Sequence, residues 1–128
     1  MMAKGRGSAS AVQSAALLVI LCVVGQCIVT EAATYVVGGS GGWTFNSVGW
    51  TSGKRFRAGD VLVFNYSPSV HNVVAVSAAG YKSCTAPRGA RALTSGRDRI
   101  TLRRGTNYFI CSFAGHCQAG MKIAVTAA

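Results

Sequence analysis

Amphipathic helical spacing is hard to find anywhere after residue 33. The chain instead runs as short apolar segments closed by glycine, proline or polar turn residues, and that pattern points to sheet structure. ATYVVGG opens with a strand that ends at Gly38 and Gly39. Asp60 to Tyr66 is a strong strand stopped by Pro68, and HNVVAVS, from His71, is another. DRITLRRG and TNYFICSF read as two strands joined by a turn at Gly105. MKIAVTA is the last strand, with Lys122, Ala124 and Thr126 alternating with Ile123 and Val125 as one buried face requires. YKSCTAPRGA, from Tyr81, is a loop or short helix broken by Pro87 and Gly89. The glycine-rich GGSGGW before Trp43 needs only unusual backbone angles, because no strand–loop–helix pattern with a suitably placed lysine makes it a phosphate loop. Short strands at regular spacing imply an all-β antiparallel sandwich or barrel, with short helical segments confined to loops.

The first third of the 128-residue chain has a different character. Lys4 and Arg6 precede the apolar run AALLVILCVVG, Ala15 to Gly25, and small residues follow at TEAAT. A basic start, an apolar middle and a small-residue exit resemble a secretory signal peptide, and the run is too short for a full membrane span of about 20 residues. Cleavage after Ala32 places Thr30 and Ala32 at the small-residue positions; cleavage after Ala33 is a poorer fit because of Glu31. The expected organisation is therefore a signal at residues 1–32 and one domain at 33–128. Removing the signal lowers Lys plus Arg from 13 to 11 and Asp plus Glu from three to two, so the mature charge is +9 with histidine neutral. The few residues after Met121 hold no lipid-anchor tail, so the expected product is soluble, exported and without a membrane anchor.

Cys22 and Cys27 leave with the signal, and Cys84, Cys111 and Cys117 stay. Export means an oxidising compartment where cysteines pair, so three leaves one thiol over. Two of the three sit in CSFAGHCQAGM, Cys111 to Met121, which also holds His116; the other histidine of the chain is His71. Residues that distant can meet in a sandwich when their loops share one end.

Three chemistries compete for this cluster. Structural zinc could take Cys111, Cys117, His71 and His116, but it strands Cys84 and gives Met121 no role. A catalytic thiol needs a histidine and often an orienting carboxylate or amide. With only Asp60 and Asp98 in the mature chain, paired-carboxylate chemistry is almost excluded, so no enzyme is expected. Copper is held through both oxidation states by two imidazoles, one thiolate and a weak axial thioether, and His71, Cys111, His116 and Met121 supply that set. On the copper reading Cys111 is the thiolate and Cys84 is left to pair with Cys117. Taken singly, each residue has a plainer use: Met121 as core packing, a histidine as a surface group, Cys111 as a buried hydrophobe or the partner of Cys117. Taken together, the copper set accounts for the odd cysteine, both histidines and the methionine.

With these residues in hand, the sequence resembles the phytocyanin family of the cupredoxin superfamily, and within it the plantacyanin branch, also called basic blue proteins or chemocyanins. The resemblance rests on YVVGGSGGWTFN, GKRFRAGDVLVFNYSPSVHNVV, YKSCTAPRGA and TSGRDRITLRRGTNYFICSFAGHCQAGMKIAV, which together span nearly all of residues 35–126. The Cys-x4-His-x4-Met spacing with a cysteine after the histidine is that of the phytocyanins; the shorter Cys-to-His gap of plastocyanins does not fit. The resemblance implies a Greek-key two-sheet β-sandwich, one type 1 copper on His71, Cys111, His116 and Met121, and a Cys84–Cys117 disulfide. Met121 argues against the stellacyanin branch, which carries glutamine at the axial position. The resemblance also implies that the backbone amide of Asn72 donates a hydrogen bond to the copper thiolate.

A site with no open position for substrate implies one-electron carriage, with His116 as the exit and Phe113, Ala114, Gly115 and Ala119 allowing close approach of an unidentified redox partner. A second class is a basic extracellular signalling module, in which copper is mainly structural. Lys54, Arg55, Arg57, Arg88, Arg91, Arg97, Arg99, Arg103 and Arg104 would meet an acidic wall polysaccharide or an anionic protein. Chemocyanin-type relatives imply pollen-tube guidance or cell-wall roles. Nucleic acid is excluded by export to the apoplast, and a monomer is expected. Asn65-Tyr66-Ser67 is a glycosylation sequon, expected empty because Pro68 follows and His71 is near.

Overall fold

The computed structural model describes residues 18–23 and 26–128, so Lys4, Arg6 and part of the apolar run lie outside the described residues. Two compact units result, Met1–Ala33 and Thr34–Ala128. In the first, strands β1 (Leu18–Val23) and β2 (Gln26–Glu31) pair antiparallel. No helix among the described residues is long and apolar enough to cross a membrane.

The second unit is a sandwich of two sheets. One has three strands, β3 (Thr34–Val36), β4 (Val61–Asn65) and β7 (Arg97–Thr101), in the order β3-β4-β7. The other has four: β5 (Val73–Val76), β6 (Ala92–Leu93), β8 (Gly105–Ile110) and β9 (Lys122–Ala127), in the order β9-β8-β5-β6. The chain crosses between sheets after β4, after β6 and after β7. Pairing is antiparallel throughout this unit except between β3 and β4, where Thr34 faces Val61 and Val36 faces Val63 in parallel, and at an isolated Phe56–Ala127 bridge. The alternation in the sequence gives each strand a face but no direction, so the parallel pair was not expected.

Side-chain alternation decides what lies between the sheets. In β9 Ile123, Val125 and Ala127 are buried while Lys122 and Ala124 are partly open. In β8 Phe109 turns to the interior and Ile110 to the other face, as the period of two requires. The main core holds Val37, Trp43, Leu62, Phe64, Val73, Leu102, Phe109 and Ile123. Phe64 stands at its centre, edge-on to Trp43 at 5.1 Å and to Phe109 at 5.3 Å. Truncating such a ring costs about 3–5 kcal/mol. A second cluster, Val74, Ile110 and Cys117 with Val76, Tyr81 and Cys84 against it, lies on the opposite face of the four-stranded sheet. Helix α1 (Ala78–Ser83) supplies its Tyr81. The helix starts where the Ser77 side chain accepts the Gly80 N–H at 3.1 Å, a local cap that places its start three residues before the predicted loop-or-helix segment.

Both carboxylates of this unit are buried. Asp60 is 4% exposed and its Oδ2 accepts the Arg57 N–H at 2.8 Å. Asp98 is 8% exposed and accepts from the Ser95 hydroxyl at 2.6 Å and from the Tyr66 hydroxyl. Burial first, then this hydrogen bond, pushes the Tyr66 phenol up to about 12.

Candidate metal centre

Three loops meet at one end of the sandwich. The β4–β5 loop carries His71, whose N–H donates to the Ser67 carbonyl at 3.1 Å. The β8–β9 loop carries Cys111, His116 and Met121. It is closed by Cys111 N–H to the Met121 carbonyl and Met121 N–H to the His116 carbonyl, both at 3.1 Å. This turn is tight enough to need left-handed backbone at Gly115 (φ 80°) and Gly120 (φ 87°), where glycine is at home. The third loop, residues 43–48, was not anticipated. Its Ser47 N–H donates to the Gly120 carbonyl at 2.9 Å and Asn46 N–H to the Ala119 carbonyl at 3.3 Å, which ties it to the β8–β9 loop. A side chain at Gly120 would meet Asn46 backbone atoms at 3.2 Å, so the two loops are in close contact.

These loops bring His71, Cys111 and His116 together, with their ligand atoms all within 4.8 Å of one another. His71 Nδ1 lies 3.1 Å from His116 Nδ1, and Cys111 Sγ lies 3.6 Å from His116 Nδ1. These separations suit two donors sharing one ion at the usual metal–nitrogen length of about 2.0–2.1 Å and metal–sulfur length of about 2.3 Å. Met121 is fully buried in the same core cluster as Cys111. Cys111 is the free cysteine among the described residues and is 0% exposed. Burial, and secondly the neighbouring His116, hold the His71 imidazole below the ordinary histidine value, which favours the neutral ring that can offer a lone pair.

Cys84 and Cys117 form a disulfide with a Cα–Cα distance of 5.6 Å. The zinc set of two histidines and two cysteines is thereby broken, because Cys117 has no thiolate to give. What remains is two imidazoles, one thiolate and a thioether-bearing residue, the donor mix that selects copper.

Asn72 enters through its side chain. Its amide Nδ2 donates to the Ser112 hydroxyl at 2.8 Å, and its Oδ1 accepts the Ser112 N–H at 2.8 Å. Its carbonyl accepts from Trp43 Nε1 at 2.9 Å. Asn72 thus fixes the residue after His71 to the residue after Cys111 and to the third loop. The sequence carried no sign of this clamp, because nothing in it places Ser112 opposite Asn72.

Two aromatic rings frame the histidines. Phe45 stands edge-on to His116 at 4.8 Å and to His71 at 5.6 Å, and Phe113 stacks on His116 at 5.6 Å. Both remain exposed, at 42% and 36%. Of these, Phe113 was singled out in the sequence and Phe45 was missed, since no pattern ties 43–48 to 111–121. None of the three loops (43–48, 67–72 and 111–121) contains a Lys, Arg, Asp or Glu.

Comparison with known proteins agrees with this geometry. A family model described as a plastocyanin-like domain matches residues 43–121. A chemocyanin of Lilium longiflorum is 61% identical over 127 residues, covering 99% of this chain and 100% of the relative. A basic blue protein of Cucumis sativus is 64% identical over 95 residues, covering 74% of this chain and 99% of the relative. The solved structure of cucumber basic protein, a blue copper protein, superposes with a TM-score of 0.74 at 64% identity, over 75% of this chain and 100% of that one. The structure of cucumber stellacyanin superposes with a TM-score of 0.67 at 29% identity, over 76% and 98%.

Proposed function

This chain belongs to the phytocyanin family, in its plantacyanin branch of the cupredoxins, and from that premise we propose that it is an exported one-electron carrier holding a single type 1 copper. The observation that carries the reading is the convergence of His71 Nδ1, His116 Nδ1 and Cys111 Sγ within 4.8 Å, with Met121 buried beside them. Copper bound there supplies reversible one-electron exchange.

The residues do the rest. His71 and His116 would offer imidazole nitrogens, Cys111 a sulfur shielded from water and Met121 a soft thioether. The Asn72–Ser112 clamp holds the two ligand loops in register, so the donors keep one arrangement when charge changes. With Asn72 tied to Ser112, the residue after Cys111, its backbone amide is suited to donate to the thiolate and tune it. Phe45 and Phe113 keep water from the imidazole faces, and the uncharged loops let a partner approach His116 closely. Four donors from the chain would satisfy the ion without a substrate, so the site is suited to carrying electrons and not to breaking bonds.

Residues 1–32 serve in this reading as the export signal. The Cys84–Cys117 disulfide supports it, because such bonds persist in oxidising compartments. Reversible redox titration of the copper-loaded protein, with electron exchange followed by stopped flow, tests the carrier role. Fast exchange with small redox proteins is expected, and a copper centre that cannot be cycled would contradict it.

A second reading is an extracellular signalling module in which copper is mainly structural. The name chemocyanin given to the lily relative and the surplus of 11 Lys and Arg over two acids after residue 33 favour it. The two are separated by His71→Ala: biological activity that survives this change is not electron transfer.

A further inference from the structure

Strand β7 carries a row of cations that the copper site does not use. From Arg97 to Arg103 the burial alternates without a break: Arg97, Arg99, Thr101 and Arg103 are exposed, while Asp98 and Leu102 are buried and Ile100 partly so. The sheet order β3-β4-β7 puts this strand at an edge. At about 3.3 Å per residue, Arg97 and Arg99 on β7 and Arg103, two residues past its end, span roughly 20 Å.

Three further observations bear on what the row does. The guanidinium groups of Arg97, Arg99 and Arg103 have no hydrogen-bond or ion-pair partner among the described residues; only their backbones are engaged, at Arg97 and Arg99 in the pairing with β4 and at Arg103 with the Asn107 side chain. Lys54 and Lys122, by contrast, are already occupied, each on a carbonyl and over an aromatic ring. Among the described residues of this unit no acidic side chain faces the row, because Asp98 and Asp60 are both buried. The partners of β7 across the sheet, Val61, Leu62, Val63, Phe64 and Asn65, bring no charge.

Charges on an edge strand commonly guard against edge-to-edge pairing, and that need is met by any charge. Here every charge is an arginine, whose fork matches a carboxylate in a way lysine does not. The row also lacks the large apolar anchors that protein interfaces favour. The exposed large hydrophobics are Phe45, Val48, Val70 and Phe113 in the loops of the metal end, and Val36 on β3 at the opposite edge of the sheet. A straight row of unpaired cations without anchors fits a linear polymer with regularly repeated carboxylates.

We infer that the Arg97–Arg99–Arg103 row is a docking surface for a carboxylated acidic polysaccharide, a polyuronate. The inference rests on the proposed export of the chain. The row starts beside the β4–β5 loop, where Arg97 faces Asn65, and runs from there away from the metal end.

The test uses the full chain expressed in plant cells, loaded with copper and eluted from immobilised polygalacturonate by a salt gradient. Arg97→Gln/Arg99→Gln/Arg103→Gln is compared with Lys82→Gln/Arg88→Gln/Arg91→Gln, which removes the same charge elsewhere. The β7 triple is expected to bind about tenfold more weakly, the order for losing several exposed charge pairs, and the control triple less than about threefold. Equal losses in both triples would overturn the inference, since net charge alone would then explain retention. So would wild-type protein that is not retained, or that binds polyglutamate more tightly than polygalacturonate, which would indicate an acidic protein. Visible absorption measured on the same samples reports the copper site separately. Its absence with retention intact would refute the copper reading and leave the docking surface standing.

Discussion

The two faces of the four-stranded sheet use sulfur in opposite ways. On the inner face Cys111 and Met121 join the main core beside the histidine pair, and the thiol is free. On the outer face Cys117 joins Val74, Ile110 and Cys84 near α1, and its sulfur is bonded. Cys111 and Cys117 belong to one loop six residues apart, yet they never compete. The period of two in β8 and the turn that follows assign them to different sides. The lesson is that the fold itself keeps the free thiol apart from the disulfide, which is left to brace the loop from the outer face.

The comparison breaks first at the ligands. His71→Ala or His116→Ala should lower copper affinity by more than about a hundredfold, since even residues that only support a metal site cost ten- to a hundredfold. Competition with a chelator measures this, and unchanged affinity in either variant would remove that histidine from the site.

The outer face should answer with stability and not with colour. Cys84→Ser/Cys117→Ser opens a loop with a sequence separation of 33, worth about 3–4 kcal/mol by loop-closure entropy. Urea denaturation checks the magnitude. The variant should keep its visible absorption while folded; loss of colour in a folded variant would show that the two faces are coupled.

Asn72→Ala sharpens the boundary between faces. It leaves the Ser112 N–H and hydroxyl without their partner and should cost about 1–3 kcal/mol. Copper release to a chelator should also speed up, because the clamp joins both ligand loops. A stability loss with unchanged release would confine Asn72 to folding.

The smallest effect is at alkaline pH, at Tyr66. A phenol raised above its ordinary value of 10 to about 12 favours the neutral form in the folded state. Its stabilising contribution is therefore complete below about pH 10 and lost as pH rises to about 12. Ultraviolet titration should show a tyrosine titrating at about 12 that is absent in Tyr66→Phe, while Tyr81, also raised by its burial, is unaffected.

Much of this was legible in the sequence, and for physical reasons. A period of two, as in Lys122–Ala127, reports burial directly, so the strands could be read. Cysteine parity and the short spacing from Cys111 to Met121 made the donor set visible. What depended on contacts between distant segments could not be seen. The parallel direction of β3, the two-residue strand Ala92–Leu93, the Phe45 ring against both histidines and the Asn72–Ser112 clamp are all of that kind. Each joins stretches whose own patterns are silent about the partner.

The most direct test of the central claim is a copper titration of the purified protein followed by visible absorption, in parallel with Cys111→Ser. One copper per chain, an intense blue band in the native protein and none in the variant are the predicted results. A blue band of equal strength in Cys111→Ser, or a native protein that binds copper without colour, would contradict the assignment of Cys111 as the thiolate.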